Sequence, residues 1–373
     1  LLLVVDIYTA VFYFVCLCNQ SSLATLSLAL MKSQSGILLY VLGFIFFLVA
    51  CKQGNKTTTE NAGQMNPLHQ PVRVIFDTDM GPDYDDVGAL AMLHALADQG
   101  EAEILATVAC NKHPLVAPCI EVINTYFGRP DIPIGASKSA AVTMGASQKW
   151  PEAITAAYPH RLTSTDEAPD AIALYRRILS SQPDSSVTII SVGFLTNLAY
   201  LLRSPADSIS SMTGRELVAI KVKNLVVMAG QFPEGREFNI EQDTLSAKEV
   251  STTWPTPIIF SGFEIGVGIL TGKRLVAASE KSPIKDAFRI SMLQDKEDKN
   301  GHSSWDQTAV LVGVRGATPY FDLVPGRFVL QHGGRNSWDA SKHGHFYVVQ
   351  KMPATQVAAI IEELMMRKAL HEQ

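Results

Sequence analysis

The chain has 373 residues, with 31 Lys and Arg against 36 Asp and Glu, a formal net charge of −5. This mild acidic balance, with no basic run and no basic patch interleaved with aromatics, argues against a nucleic-acid partner. From about Pro71 onward the chain is long for one domain, but α/β folds often reach this length as a single unit, here residues 71–373.

The chain opens on Leu1, and its first thirty residues are apolar and Ser-rich. Met31-Lys32 is a more natural start, so residues 1–30 read as an upstream extension outside the fold. Residues 31–50 read as a secretory signal peptide: basic Lys32, polar Ser33 to Ser35, then an apolar run from Ile37 to Ala50. Leu48-Val49-Ala50-Cys51 resembles the bacterial lipobox. That resemblance implies a lipidated Cys51 as mature N-terminus, and a chain anchored to a bacterial membrane in the cell envelope. The alternative is an uncleaved membrane helix, although the run is shorter than the ~18 apolar residues a span needs. Lys52 to Gln70 is polar and reads as a flexible tether. Of the other cysteines, Cys110 and Cys119 allow either a disulfide or two buried thiols. No CxxC pair argues for zinc.

Val74 to Phe76 is an apolar run that predicts a short buried strand. Gly81 and Pro82 turn the chain, and Val87, Leu90, Ala91, Leu93, His94 and Leu96 then follow a helical period. Five aspartates, Asp77, Asp79, Asp83, Asp85 and Asp86, thus crowd a strand end and the start of the next helix. Ligands bind at such places in open α/β sheets. Like charges this close cost free energy unless neutralised, and a hard divalent cation with oxygen ligands is the simplest neutraliser. The helix macrodipole alone would favour one or two of the five.

Ile104 to Ala109 reads as a second strand ending Cys110-Asn111, Val116 to Phe127 as a helix, and Gly128 to Ile134 as a turn into a third strand. Ser137 to His160 reads as loop, Ala168 to Leu179 as an amphipathic helix, and Val187 to Ser191 as a strand followed by Gly193-Phe194-Leu195-Thr196-Asn197. A plain strand-to-helix turn capped by Asn197 would explain that last segment without chemistry. Lys223 to Ala229 is the next strand, leading to Glu237-Phe238-Asn239; a core Met228 and a solvated Glu237 are the bland readings. Pro257 to Phe260 is another strand, with Glu264 near its end as a rim or edge residue. Lys281 to Asn300 is charged and is expected to be partly helical at the surface. Gly301-His302-Ser303-Ser304-Trp305-Asp306 precedes an apolar helix, and a lone loop histidine such as His302 is more often solvated than catalytic. Phe328 to Leu330 and Gly344 to Gln350 suggest a hairpin, and Gln356 to Leu370 a C-terminal helix. The alternation predicts an α/β fold: a mostly parallel, Rossmann-like sheet with helices on both faces.

Three blocks, Asp77 to Asp86, Gly193 to Asn239 and Trp305-Asp306, together resemble the inosine–uridine-type nucleoside hydrolases, whose signature reads DxDxGxDD. Here two extra residues separate Asp79 from Asp85-Asp86, with Pro82-Asp83 aligned as the insertion, so Asp83 rivals Asp85 for the base role. The resemblance implies Ca²⁺-dependent hydrolysis of the N-glycosidic bond of ribonucleosides to free base and ribose. It implies Ca²⁺ held by Asp79, Asp86, the Thr196 carbonyl and Asp306, with Asp85 as the base that activates a metal-bound water. It places Asn111, Met228, Glu237 and Asn239 at the ribose. Inosine–uridine members carry His before the last aspartate; Trp305 stands there instead, as in purine-specific members, which implies base stacking and a purine preference. Members often form dimers or tetramers, so a homo-oligomer stays open.

Two other classes compete. Asp77-Thr78-Asp79 resembles the DxD motif of haloacid-dehalogenase-type phosphatases, but that family needs Thr or Val where Gly81 stands and a later acidic motif that is missing. A lipid-anchored nucleoside-binding protein, its catalysis lost through the insertion, is the second.

Overall fold

The computed structural model describes residues 70–368. The expectations for the upstream extension, the signal peptide, Cys51 and the tether to residue 69 lie outside the described residues. No helix among the described residues is long and apolar enough to cross a membrane.

Val72–Thr78 (β1) is the central strand. Its consecutive apolar residues serve both faces: Val74 and Phe76 join one core cluster, Ile75 the other. Only a strand covered on both sides can bury such a run. Parallel neighbours flank β1, Ala102–Ala109 (β2) on one side and Val187–Ser191 (β4) on the other. Ile134–Ala136 (β3) continues past β2; Val222–Met228 (β5) and Ile258–Ser261 (β7) continue past β4, all in parallel. His345–Gln350 (β12) adds in parallel to β7. Phe321–Leu330 (β10), Arg335–Asp339 (β11) and Glu234–Arg236 (β6) then close the sheet in antiparallel fashion. The ten-stranded order is β3-β2-β1-β4-β5-β7-β12-β10-β11-β6, and Leu270–Thr271 (β8) with His302–Ser303 (β9) forms a separate ribbon. The order reverses direction between β1 and β4, which opens a crevice at the carboxyl ends of those strands.

The helix Asp85–Asp98 is buried from Asp85 to Leu96. It can be apolar all round because the sheet and the helices Trp305–Arg315 and Ala354–Met365 enclose it. Three expectations need correction, and the choice left open for the two cysteines is resolved. The stretch 137–160 contains a helix, Trp150–Ala157, because Trp150 and Ile154 supply it with a buried face. The helix Pro283–Gln294 is more than a surface element, since Ile284, Ala287 and Phe288 sit in the core. The supposed hairpin loop holds β11, whose Trp338 packs edge-on against Phe232 and Tyr347. Cys110 and Cys119 are free buried thiols and do not form a disulfide.

Candidate active site

The crevice is built by tying neighbouring strand ends to β1. Cys110 N donates to Thr78 O at 3.0 Å and Val192 N to Asp77 O at 2.8 Å. Asp77 is wholly buried below the rim, where it accepts hydrogen bonds from Tyr175 Oη at 2.8 Å and Asn197 Nδ2 at 3.0 Å. Burial pushes its carboxyl up to about 7, against the pull of those donors. Asn197 therefore fastens two strand ends, since it also donates to Ala109 O at 3.1 Å; the helix Thr196–Arg203 has no side-chain cap, contrary to the capping alternative.

Above this floor stand the aspartates. Asp86 accepts from Thr78 Oγ1, from Met80 N at 3.1 Å and from Gly81 N at 3.1 Å, so the turn itself aims its carboxylate. Asp85 Oδ2 accepts the Asp306 N–H at 2.9 Å, which joins the first aspartate block to the last. One carboxylate oxygen from each of Asp85, Asp86 and Asp306 lies within 4.8 Å of the others. Burial first, and the neighbouring aspartates second, push Asp79, Asp85 and Asp306 well above the ordinary carboxylate range, and Asp86 to about 6. Among the described residues no Lys or Arg forms an ion pair with these four. An all-oxygen, acid-rich, buried donor set of this kind fits a hard divalent cation.

The predicted residues fall into two groups. Asp79, Asp85, Asp306, Met228, Glu237, Asn239 and Trp305 all line one cavity of ≈ 270 Å³. Asp86, Thr196 and Asn111 do not line it. Thr196 is the buried first residue of its helix, and its hydroxyl donates to Asp243. Asn111 Nδ2 donates to Asp79 O at 3.1 Å and Met144 O at 2.7 Å, while its Oδ1 accepts His113 N and Met144 N, both at 3.0 Å. Its whole amide is thus engaged with backbone, and it steadies the strand end that bears Asp79.

Glu237 is buried and far from a solvated loop residue. It caps the helix Phe238–Gln242, taking Asn239 N at 2.8 Å on Oε1 and Gly230 N and Ile240 N at 3.0 and 3.1 Å on Oε2. Burial outweighs those donors and raises its carboxyl to about 7. Asn239 Nδ2 donates to Val192 O and Met228 O, both at 3.2 Å, bridging β4 to β5. Trp305 lies over Phe263, ring centroids 5.5 Å apart and 25° between planes, with Nε1 donating to Phe263 O at 2.9 Å. Phe263 and Phe238 also line the cavity yet are 36% and 41% exposed. The sequence reading passed over both, although an aromatic inside Glu-Phe-Asn and another just past a Ser-Gly strand end are visible signals.

The inserted loop is rigidly held. Trp150 Nε1 donates to Asp83 O at 2.9 Å, and Tyr84 Oη to Asp298 Oδ2 at 2.5 Å. His302 was expected to be solvated; it is buried, stacked on Tyr84 at 3.9 Å, with Nδ1 2.9 Å from Asp298 Oδ2. Burial would raise Asp298, but the hydrogen bonds from His302 and Tyr84 outweigh it and hold the carboxyl below its ordinary range.

No curated protein sequence matches the chain. Among solved structures it is similar to an inosine-guanosine nucleoside hydrolase, with a TM-score of 0.62 and 18% identity over 79% of this chain and 99% of that one. It is similar also to the inosine-uridine preferring nucleoside hydrolase from Bacillus anthracis, at a TM-score of 0.61 and 15% identity over 79% and 99%. A purine-preferring ribonucleoside hydrolase from Gardnerella vaginalis gives 0.60 and 15% over the same shares. These likenesses establish the fold. Residues 74–356 match the family described as inosine-uridine preferring nucleoside hydrolase, and with the match spanning most of the chain, the protein belongs to that family of hydrolases acting on N-glycosyl bonds.

Proposed function

We propose that the protein cleaves ribonucleosides, purine nucleosides in preference, to free base and ribose. The observation that carries this reading is the mixed lining of one cavity, which brings aromatic Trp305, Phe263 and Phe238 together with Asp79, Asp85 and Asp306. A flat base suits the aromatic groups and a polyhydroxylated sugar the acidic ones. Asp79, Asp86, Asp306 and the Thr196 carbonyl would hold Ca²⁺, which would supply positive charge to offset the carboxylates and attract sugar oxygens. Glu237 has about four lone-pair sites and uses three on backbone N–H groups, which leaves capacity for one sugar hydroxyl. Asn239 spends its amide N–H groups on backbone and offers its oxygen to another. Asp85, fixed through the Asp306 N–H, accepts the proton of the attacking water. The sugar passes through an oxocarbenium-like state, which the surrounding carboxylates favour electrostatically. The departing base stacks on Trp305.

Incubation with a panel of purine and pyrimidine nucleosides, read by released ribose, tests the reading. Ribose should appear fastest from purine nucleosides and be abolished in Asp85→Asn. Binding without ribose release would overturn it. An envelope location rests on Leu48 to Cys51: Cys51→Ser should move the chain out of the membrane fraction, and unchanged fractionation would reject the lipid anchor.

A further inference from the structure

Beside the all-oxygen group lies a second convergence of donors with different chemistry. His302 Nε2 is 4.0 Å from Asp83 Oδ2, and these two with an oxygen of Asp85 lie within 4.8 Å of one another. His302 is only 7% exposed, and its Nε2 has no hydrogen-bond partner. A buried ring nitrogen without a partner is costly and calls for an explanation. The other side of the ring is locked. Asp298 holds Nδ1 at 2.9 Å, Tyr84 Oη holds the same oxygen of Asp298, and the Tyr84 ring stacks on the imidazole. Asp298 only accepts, so Nδ1 carries a proton, and in the neutral ring Nε2 bears the lone pair a metal needs, on the side of Asp83 and Asp85. A carboxylate that sets the tautomer and plane of a histidine whose free nitrogen meets other donors is the usual support of a metal-ligating imidazole.

We propose that Asp83, Asp85 and His302 form a second cation site, for a divalent transition-metal ion such as Zn²⁺ or Co²⁺, adjoining the oxygen-only group of Asp85, Asp86 and Asp306. An imidazole among the donors favours such ions over Ca²⁺ and Mg²⁺, which prefer oxygen. Donors roughly 2.0–2.2 Å from one ion lie at most roughly 4.4 Å apart, so the 4.0 Å between His302 Nε2 and Asp83 Oδ2 is within reach of one ion, and a small inward movement of the partly exposed Asp83 carboxylate brings the pair to a tetrahedral angle. Asp85 has an oxygen near both groups of donors, and the Ca²⁺ set proposed above does not use it. A carboxylate has two oxygens, so ligation does not remove Asp85 from its proton-accepting role. Asp83 comes from the two-residue insertion, which makes the second site a property of this loop. Its backbone is pinned by Trp150, so the carboxylate opposite His302 has a fixed origin.

The test does not depend on the nucleoside reading, because it counts ions. The full chain is stripped with a chelator, saturated with Ca²⁺ and titrated with Co²⁺, with bound metal measured by dialysis and elemental analysis and the Co²⁺ environment by visible absorption. One Co²⁺ per chain should bind without displacing Ca²⁺. His302→Gln and Asp83→Asn should each weaken Co²⁺ at least ~10-fold and leave Ca²⁺ stoichiometry unchanged, and Asp298→Asn should weaken it ~10–100-fold through loss of ring orientation. Asp83 has a 43% exposed side chain, so its variant tests the site even if His302→Gln perturbs packing. Absence of Co²⁺ binding, one-for-one exchange of Co²⁺ with Ca²⁺, or wild-type Co²⁺ affinity in Asp83→Asn would overturn the proposal.

Discussion

Gly193 packs directly against Asp79, and Gly193→Ala measures how tightly that aspartate is held. A Cβ there would lie 2.6 Å from Asp79 N, 2.9 Å from Asp79 Cβ and 2.7 Å from Cys110 Sγ. Ordinary contact begins at 3.4 Å, so the shortest approach is roughly 0.8 Å too close. Two of the three neighbours belong to the Asp79 main chain or Cβ, and no rotamer change moves them. The end of β1 must therefore shift against the segment that follows β4. Overpacking of this kind costs ~1–3 kcal/mol of stability. Displacing Asp79 by most of an ångström should cost about 10²-fold in kcat/KM. Thermal unfolding with and without Ca²⁺, together with ribose release, reads both effects. Cys110→Ala added to Gly193→Ala should recover some stability but little activity, because the Asp79 contacts persist. Wild-type melting temperature and wild-type kcat/KM in Gly193→Ala would refute the argument.

Trp305→Ala should depress purine cleavage by about 1–3 kcal/mol, the worth of one base–aromatic stack, with Ca²⁺ binding intact; weakened metal binding at an unchanged purine-to-pyrimidine ratio would instead make the indole a packing group. It is tightly seated, since a Cβ on Gly266 would meet Trp305 Cδ1 at 2.3 Å. Asp86→Ala leaves the Gly81 N–H without its acceptor, while Met80 N keeps Thr78 Oγ1 at 2.9 Å, and should remove Ca²⁺ and activity together; full metal occupancy would sink the ligand assignment. Glu237 titrates near 4.5 unfolded but at about 7 folded, so its contribution to stability is complete below about 4.5 and lost as pH rises through about 7. The shift corresponds to about 3 kcal/mol, and Glu237→Gln should flatten the dependence of stability on pH by that amount over this window. An unaltered slope would show that Glu237 is not the titrating group.

The local pattern of the chain was enough for the sheet class and for where the acidic cluster lies. Consecutive apolar residues in β1, the turn at Gly81-Pro82 and the aspartates around it are short-range features, and short-range features survive in sequence. Met228, Glu237, Asn239, Trp305 and Asp306 were singled out by the family resemblance of their blocks, and all line the cavity. What neighbours in space do to one another was not legible. Helix capping was the plain alternative for Asn197, yet neighbouring strand ends offered it the Asp77 carboxylate and the Ala109 carbonyl. Asn111 reads as a sugar ligand until the 144 loop folds back onto its amide. β11 needed partners on both edges and an aromatic cluster from distant strands before it could form. His302 carried no signal of burial; Asp298, Tyr84 and Asp83 surround it only once the insertion and the ribbon of β8 and β9 meet. A side chain's partner is chosen by whichever donor or acceptor tertiary packing leaves unpaired nearby, and that competition is decided between segments that sequence holds far apart.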